Sequence, residues 1–360
     1  MKKLLIAIVA LATFASCSKM DVQYEQPEEI AISAVSMNRT KAMVSGTAFP
    51  AENFAVWAYY KQLPAGTSIA DWQNASAEKY PQNIYINNKQ FKPSTTDGLW
   101  SGVTPYFWPK VGSLLFAGYY PVTMTNVSYE FTSSVNKMTV AGYTPGDYQT
   151  SGFVNTAEGA NYVEDFMYFN MTSSSCDAST TGPENSVKTG CHVDVVFKHA
   201  LSWLTVVLKK DSSTPAGATI TVKKVYFTDV NTTGKGVVNN SPATGASNLI
   251  SWETTDAETN VYVLGSPTTD NADALTSDYT CNQPVIIPQT MDGNIVVIYE
   301  IRSSDGSAFT ETVTLPLSGL TTGVTSWDPA KHYTYTVTIG TSEILIDPIV
   351  SDWENITATI

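Results

Sequence analysis

The chain has 360 residues, of which 43% are hydrophobic and 15% are charged, and its formal net charge is −13 at pH 7. Phosphate backbones repel such an acidic chain, so its charge argues against nucleic acid as a partner. The length exceeds what one hydrophobic core usually organises, and we therefore expect two domains.

The N-terminus has the pattern of a bacterial export signal. Lys2 and Lys3 precede the apolar run Leu4–Phe14, which is too short for a permanent membrane span but fits the core of a signal peptide. Small residues then lead directly to Cys17. This pattern predicts a lipoprotein signal at 1–16 with acylation of the Cys17 sulfur. The alternative is an ordinary secretory signal that is cut near Ala15 or Ser16.

Abundant Thr, Ser, Val, Tyr, Asn and Gly, with few helix formers, predict an all-β chain. After a polar tether, the first candidate strand is Glu29–Met37, which places Ile30, Ile32 and Ala34 on one side. A polar break follows at 38–41.

Short apolar strands separated by turn residues fill the first half, and residues 172–190 form a low-complexity seam. The second half shows clearer alternation, as at Val193, Val195 and Phe197. Two packed β-sandwiches are the natural architecture for many short strands. The strands predicted here are Phe54–Tyr60, Ile84–Ile86, Leu114–Tyr120, Leu201–Leu208, Ile220–Phe227, Val285–Ile287, Ile295–Tyr299 and Tyr333–Ile339.

Cysteines beyond position 17 are few. Cys176 and Cys191 flank a loop rich in Ser, Thr, Gly and Pro, so either a disulfide or two unpaired thiols is consistent with the sequence. Cys281 has no evident mate. No Cys/His cluster has metal-site spacing, and we expect neither a metal nor a cofactor.

Catalytic signatures are missing as well, which predicts that the protein is not an enzyme. The three histidines, His192, His199 and His332, are more typical of hydrogen-bonded structural residues than of general bases. The acidic loop with Asp270, Asp273 and Asp278 could hold calcium weakly, but a solvated loop is favoured.

Aromatic residues crowd the first half of the chain. An exposed aromatic platform would bind sugar rings, whereas most of these residues lie in strand-like runs that favour a buried core. The residues concerned are Trp57, Tyr59, Trp100, Tyr106, Phe107, Trp108, Tyr119 and Tyr120.

Arginine occurs only at Arg39 and Arg302. Arg39 lies in the polar break after the first strand, where an exposed bond would be open to an arginine-specific protease. Such a cut would detach the lipid together with the first strand. The alternative is a solvated charge without a role in processing.

Several ordered stretches resemble the fimbrillin-like family of Bacteroides-type bacteria. The resemblance runs over most of the mature chain and rests on 54–59, 100–109, 115–121, 195–201, 284–289 and 331–335. It implies an exported lipoprotein that reaches the outer membrane and folds as two transthyretin-like β-sandwich domains in tandem. It further implies that an Arg-directed protease removes the N-terminal segment and opens a groove, which a strand from another subunit fills.

Carried over to this chain, the resemblance makes Arg39 the cleavage site and Thr40 the new N-terminus. Lys41 would admit a lysine-specific cut instead. The stretch 341–360, with Ile344, Ile346 and Ile349, is either the donor strand or the last strand of the second domain.

The predicted organisation is a signal peptide at 1–16, a tether and removable strand at 17–41, an N-terminal sandwich at 42–185 and a C-terminal sandwich at 186–360. The predicted function is a structural subunit or tip adhesin of a cell-surface fimbria. Its partners would be other fimbrial subunits, the outer membrane through the lipid before processing, and a host or bacterial surface ligand. The alternative is a surface glycan-binding lipoprotein that does not polymerise.

Overall fold

The computed structural model describes most of the chain from residue 28 to residue 352. None of the described residues forms a helix with the length and apolarity needed to span a bilayer. The described residues are 28–36, 52–61, 83–94, 98–109, 112–132, 135–143, 165–174, 192–239, 250–255, 258–320, 324–341 and 344–352.

Within the described part of the chain, strands are the dominant element, accompanied by one 3-10 turn at Leu317–Gly319. The first nine strands are β1 Ala31–Ser36, β2 Phe54–Lys61, β3 Asn83–Pro93, β4 Trp100–Gly102, β5 Ser113–Tyr120, β6 Val127–Phe131, β7 Asn136–Tyr143, β8 Met167–Ser174 and β9 His192–His199. The others are β10 Ser202–Lys210, β11 Thr219–Asn231, β12 Gly234–Asn239, β13 Ser251–Thr254, β14 Glu258–Leu264, β15 Tyr279–Thr280, β16 Val285–Ile286, β17 Gln289–Thr290, β18 Asn294–Arg302, β19 Ala308–Pro316, β20 Ser326–Trp327, β21 Lys331–Ile339 and β22 Ile344–Asp352.

Seven strands of the N-terminal part form a sheet that closes on itself, in the order β1-β4-β3-β2-β5-β8-β9. Its central strands β2 and β5 are apolar almost without alternation, because both of their faces are covered. One face lines the interior of the closed sheet, where Phe54 packs edge-on against Phe169 and Phe197. The opposite face carries Trp57 and Tyr119 into a second core.

That second core is covered by a four-stranded sheet, in the order β13-β12-β7-β6. Met138 and Val140 of β7 and Val238 of β12 pack onto the outer face of the closed sheet. The cover is anchored by two hydrogen bonds, in which Ile250 N donates to Tyr168 Oη at 2.9 Å and Trp252 Nε1 donates to Ala200 O at 2.8 Å. The N-terminal part is therefore layered around two cores.

The C-terminal part is a sandwich of two sheets around a third core. One sheet has the order β15-β10-β21-β22, with β16 also paired to β10, and the other has the order β14-β11-β18-β19. Tyr333, Tyr335, Val337 and Ile339 of β21 all face this core, as their period of two predicts. Strands β19 and β22 lie at sheet edges.

The all-β class is confirmed, and each strand that the sequence predicts coincides with an observed strand. Three strand pairs join residues on the two sides of position 185. β9 pairs with β1 and β8, and β12 pairs with β7, although β9 and β12 both follow residue 186 in the chain. The limits 42–185 and 186–360 stay a prediction, while the pairing assigns β9, β12 and β13 to sheets built with strands of the first half.

Candidate strand-exchange site

Strand β1 closes the N-terminal sheet by lying between β4 and β9. Its pairing with β9 is parallel and continuous over six residues, from Ala31 beside His192 to Ser36 beside Phe197. Its pairing with β4 is antiparallel and short, with Ala31 opposite Ser101 and Ile32 opposite Trp100. We call the space that β1 fills between these two strands the β1 groove.

The residues before β1 continue the pairing on the β4 side. Ile30 N donates to Tyr106 O at 2.7 Å, and Trp108 N donates to Glu28 O at 2.9 Å. Glu29 forms an antiparallel bridge with Phe107. The whole stretch from 28 to 36 is thus bonded through its backbone to neighbouring chain segments.

Three side chains of this segment point into the interior of the closed sheet. Ile30 and Ile32 are 0% exposed and Ala34 is 6% exposed. They belong to the same core as Val193, Val195 and Phe197 of β9, together with aromatic residues of β2, β4 and β8. The predicted alternation of Ile30, Ile32 and Ala34 is confirmed, and its physical reason is that this strand supplies one wall of the core.

Five of the predicted site residues lie outside the described residues. They are Cys17, Arg39, Thr40, Cys176 and Cys191. The lipidation site, the processing site and the disulfide therefore stay predictions. Within the described part, strand β1 ends at Ser36, three positions before Arg39 in the sequence.

The candidate donor residues Ile344, Ile346 and Ile349 lie on β22. This strand pairs antiparallel with β21 over nine positions, from Ile339 beside Ile344 to Lys331 beside Asp352, and an ion pair joins Lys331 to Asp352. Ile344 and Ile346 are half-buried against the C-terminal core. In this structure β22 is therefore the last strand of its own C-terminal sheet. This is one of the two interpretations of 341–360 that the sequence leaves open.

The outward side of β22 is unusually apolar for an edge strand. Leu345 and Ile349 are 54% and 57% exposed, and Val350 is also exposed. In the same sheet, the order β15-β10-β21-β22 leaves the far side of β22 unpaired among the described strands. Exposed apolar edges of this kind are templates for association with another chain.

The histidines lie in structural settings. His199 and Asp165 are both buried, and the distance from His199 Nδ1 to Asp165 Oδ2 is 2.7 Å. His332 stacks on Trp203 with ring centroids 3.6 Å apart, and its Nε2 lies 2.9 Å from Thr205 Oγ1. Burial lowers the pKa of His332 to about 4, so its imidazole is neutral at pH 7.

The buried Asp165–His199 pair is a feature that sequence reasoning missed. Asp165 belongs to an acidic pair that the sequence offers no reason to distinguish from chance neighbours. Its partner His199 follows 34 positions later. Ala200, next to His199, donates its backbone N–H to Phe166 O at 2.9 Å, so the pair and this bond hold the ends of β8 and β9 together.

The aromatic residues of the first half are mostly core. Five of the eight are buried, namely Trp57, Tyr59, Trp100, Trp108 and Tyr119. Trp57 and Tyr59 also pack against the ring of Tyr129 in the covering sheet. Because these rings are spread over two cores, they do not present one flat exposed face, and the glycan-platform alternative loses its main support.

The remaining candidates also have structural explanations. Asp270 and Asp278 pair with Lys224 and Lys209 at 3.4 and 3.3 Å, and within the described residues no cluster of three metal-ligating side chains occurs. Cys281 is buried in the C-terminal core, and burial raises the pKa of its thiol to about 12. This thiol is therefore a packing residue rather than a reactive group.

Comparison with solved structures finds distant similarities. A fimbrial protein from Bacteroides vulgatus is 17% identical with a TM-score of 0.48, over 90% of this chain and 99% of that one. A candidate cell adhesion protein from Bacteroides ovatus is 16% identical with a TM-score of 0.49, over 92% and 99%. The fimbrial anchor protein Mfa2 from Porphyromonas gingivalis is 9% identical with a TM-score of 0.31, over 91% and 98%.

Comparison with curated proteins gives no significant match. The family profile described as fimbrillin-like matches residues 57–353, which is most of the chain and includes strands of both the N-terminal and the C-terminal parts. The description of this family is that of fimbrial proteins. At the identities and TM-scores found for the solved structures, the assignment rests on this profile alone: the chain belongs to the fimbrillin-like family.

Proposed function

We propose that the protein is a subunit of a cell-surface fimbria that assembles by strand exchange after its N-terminal segment is removed. The observation that supports this most strongly is the position of β1. A strand near the N-terminus closes the first sheet, is paired on both sides, and buries three apolar side chains in the core. Its loss would leave a defined vacancy with the dimensions of one strand.

The vacancy would be strongly unfavourable in isolation. Withdrawing β1 exposes the unpaired backbone N–H and C=O groups of β9 on one side and of β4 on the other. It also uncovers the sites of Ile30 and Ile32, each of which contributes about 1.5–3 kcal/mol of burial. An incoming strand from another subunit would satisfy both the backbone groups and the apolar sites. The free energy that is released when the groove is refilled would drive assembly.

Cleavage after Arg39 would supply the trigger. The bond lies just beyond the end of β1, so a single cut separates the strand from the rest of the chain while all other described strands stay connected. With the bond intact, β1 is present at a very high effective concentration and outcompetes any strand from another molecule. After the cut, β1 can dissociate irreversibly. A cut at Lys41 would have the same effect.

Strand β22 is the proposed donor. It lies at a sheet edge, pairs through its backbone with β21 alone among the described strands, and exposes Leu345 and Ile349 to solvent. Exchange would transfer it from a half-buried edge to a site that is paired on both sides. The gain in burial would favour the exchanged state over the monomer.

Before assembly, a lipid on Cys17 would hold the exported chain at the outer membrane. Each buried methylene of an acyl chain contributes about 0.8 kcal/mol, so several chains on one residue give stable anchoring. Because Cys17 and β1 both precede Arg39, one cut would release the lipid and open the groove together. An adhesion partner on a host or bacterial surface belongs to the same proposal.

The proposal is tested by treating the exported protein with an arginine-specific protease and following its size by gel filtration. We expect cleavage at Arg39 to convert monomers into a ladder of oligomers. The Arg39→Ala variant should remain monomeric under the same treatment. Deletion of 344–360 should allow cleavage and abolish the ladder.

Arg302 is the only other arginine and serves as an internal control, because a cut there would split the chain into two fragments of distinct mass. A cleaved chain that stays monomeric with 344–360 intact would contradict strand exchange. Ladders that form equally well from Arg39→Ala would contradict the role of the cut.

A further inference from the structure

Strand β19 is a long sheet edge without the usual protection against association. It runs for nine residues, pairs with β18 without a register shift, and leaves its far side unpaired among the described strands. Its single charged side chain is Glu311, and its single proline is the terminal Pro316. Natural edge strands are usually short, bulged, interrupted by proline or lined with lysine, because an open edge pairs with other chains. β19 therefore presents a continuous open edge.

The other described sheet edges carry such protection. β22 contains Pro348 in its second half, and β14 pairs with β11 through two register shifts. The remaining described edge strands have five residues or fewer. Among the described strands, β19 is therefore the edge that is best suited to accept a further strand.

The direction of the β19 backbone groups follows from the hydrogen bonds at its two ends. Ser303 N donates to Ser307 O at 2.9 Å, and Leu317 N donates to Gly293 O at 3.0 Å. Both bonds keep the register of the β18–β19 pair, in which bonded positions alternate. The odd-numbered residues of β19 therefore bond to β18, and the even-numbered residues of 308–316 direct their backbone groups to the open side.

This open side is complementary to itself. A second copy of β19 can be placed antiparallel about a two-fold axis at Thr312. Thr310 then lies opposite Thr314, and Ala308 lies opposite Pro316, so that even-numbered positions meet throughout. Pro316 has no backbone N–H to donate, but it lies at the end of the strand, where proline is tolerated on an edge. The overlap covers all nine residues of β19.

We propose that β19 of one copy pairs antiparallel with β19 of a second copy of this chain, about a two-fold axis at Thr312. The sheet β14-β11-β18-β19 then continues into the same sheet of the second copy. This contact uses neither β1 nor β22. It therefore goes beyond strand exchange and joins chains side by side.

The side chains on the core side of β19 also match in this register. Phe309, which is 62% exposed, lies opposite Leu315 of the second copy, which is half-buried against the C-terminal core. Glu311 lies opposite Val313, and its Oε2 accepts a hydrogen bond from Tyr299 Oη at 2.7 Å within its own sheet. The exposed aromatic ring thereby gains an apolar neighbour, and no like charges meet across the two strands.

Moving the axis by one residue weakens the fit. An axis at Glu311 sets two carboxylates directly opposite each other, which is destabilising. An axis at Val313 leaves Phe309 opposite Leu317, which lies outside β19 in the 3-10 turn. The axis at Thr312 pairs the full strand and avoids both defects.

One such contact is weak between single chains. It replaces backbone bonds to water by bonds between copies and buries few apolar side chains, so it offsets little more than the entropy lost on association. In the proposed fimbria the contact repeats along the polymer, and linked contacts raise the overall affinity by about 10²–10⁴-fold. The inferred role of β19 is therefore to hold fimbriae together side by side.

The register is tested on the uncleaved chain by oxidation with copper phenanthroline and non-reducing gel electrophoresis. The Cα atoms of Thr312 in the two copies would be about 5.5 Å apart, which a disulfide can bridge. The corresponding atoms of Thr310, or of Thr314, would be about 14 Å apart, which is too far. Thr312→Cys should therefore give at least about fivefold more linked dimer than Thr310→Cys or Thr314→Cys.

An equimolar mixture of Thr310→Cys and Thr314→Cys chains is the matched control, because these two positions meet in this register. We expect linked dimer from the mixture and only background from each variant alone. The unchanged chain carries the native cysteines and measures that background. Equal linking by the three single variants would overturn the register. Linking no greater than background in every sample would overturn the pairing.

The lateral role is tested on fimbriae by electron microscopy. Thr312→Lys places like charges opposite each other at the axis and should leave the fimbriae single, whereas the uncharged control Thr312→Val should keep them bundled. Bundles that are unaffected by Thr312→Lys would contradict the lateral role. Because the cysteine test uses uncleaved chains, a failure of strand exchange does not change its result, and the two proposals fail separately.

Discussion

At the scale of single residues, Asp165 and His199 form a buried polar pair in the N-terminal part. Both side chains are removed from water, and the Asp165 Oδ1 atom has no hydrogen-bond partner among the described residues. A carboxylate in this setting depends on the single contact at 2.7 Å. The pair lies where β8 and β9 meet, and β9 is one of the two strands that border the β1 groove.

We expect Asp165→Ala to lower the free energy of unfolding by about 3–5 kcal/mol, because it removes one member of a buried polar pair. Urea titration of the monomer measures this. The double variant Asp165→Ala with His199→Ala should cost less than the sum of the two single changes to alanine, with a coupling of about 0.5–3 kcal/mol. Additive costs would show that the two side chains act independently.

His332 predicts a pH dependence of stability. Burial lowers the pKa of its imidazole to about 4, whereas the unfolded chain titrates near the ordinary value of about 6.5. The unfolded state therefore takes up the proton first as the pH falls, and the contribution of His332 to stability is lost between about pH 6.5 and pH 4.

The measurement is the difference in unfolding free energy between the native chain and His332→Gln at pH 7.5 and at pH 4.5. We expect this difference to shrink at the lower pH, because the variant carries no titrating group. The Asp165–His199 pair is common to both proteins and cancels. A difference that is constant with pH would contradict the assigned pKa.

Residue-scale alternation is the property that sequence predicted best. The inward positions of β1, β9 and β21 follow directly from the period of two, because each of these strands has one face on a core. The partner of His199 could not be predicted, since a pair separated by 34 positions depends on how two strands are placed. The same reason hides the stacking of His332 on Trp203.

At the scale of elements, β1 is held by burial and by backbone pairing together. We expect Ile32→Ala to lower the free energy of unfolding by about 2–5 kcal/mol, because it creates a cavity at a fully buried position. The matched control is Ser33→Ala, one position further on the half-exposed face of the same strand, which should cost less than about 0.5 kcal/mol.

Ile32→Ala should also speed the release of the N-terminal segment after cleavage at Arg39, because β1 with the smaller side chain is bound less tightly in the β1 groove. Native mass spectrometry at successive times after the cut measures the release. A release rate equal to that of the unchanged chain would show that this side chain does not hold β1 in the groove.

Strand existence was predictable from composition and turns, but strand partners were not. Nothing in the segment 31–36 indicates that it pairs parallel with β9, far along the chain, and antiparallel with β4. Pairing of β12 with β7 is hidden for the same reason. The partner of each strand is determined by how the cores pack across the whole fold. A local sequence pattern carries no information about that packing.

At the scale of the whole molecule, the two proposed exchange elements lie near opposite ends of the described chain. β1 closes the N-terminal sheet and β22 borders the C-terminal sheet, with twenty strands between them. The proposed acceptor and the proposed donor therefore lie in different sheets. Such a geometry favours exchange with a neighbour and hence a linear polymer.

The central claim is that the assembled form lacks β1. The most direct measurement is the intact mass and N-terminal sequence of the chain recovered from fimbriae at the native cell surface. We expect a single N-terminus at Thr40, with residues 29–36 and the lipid absent from the assembled fraction. Assembled chains that still begin at an acylated Cys17 and retain β1 would contradict it.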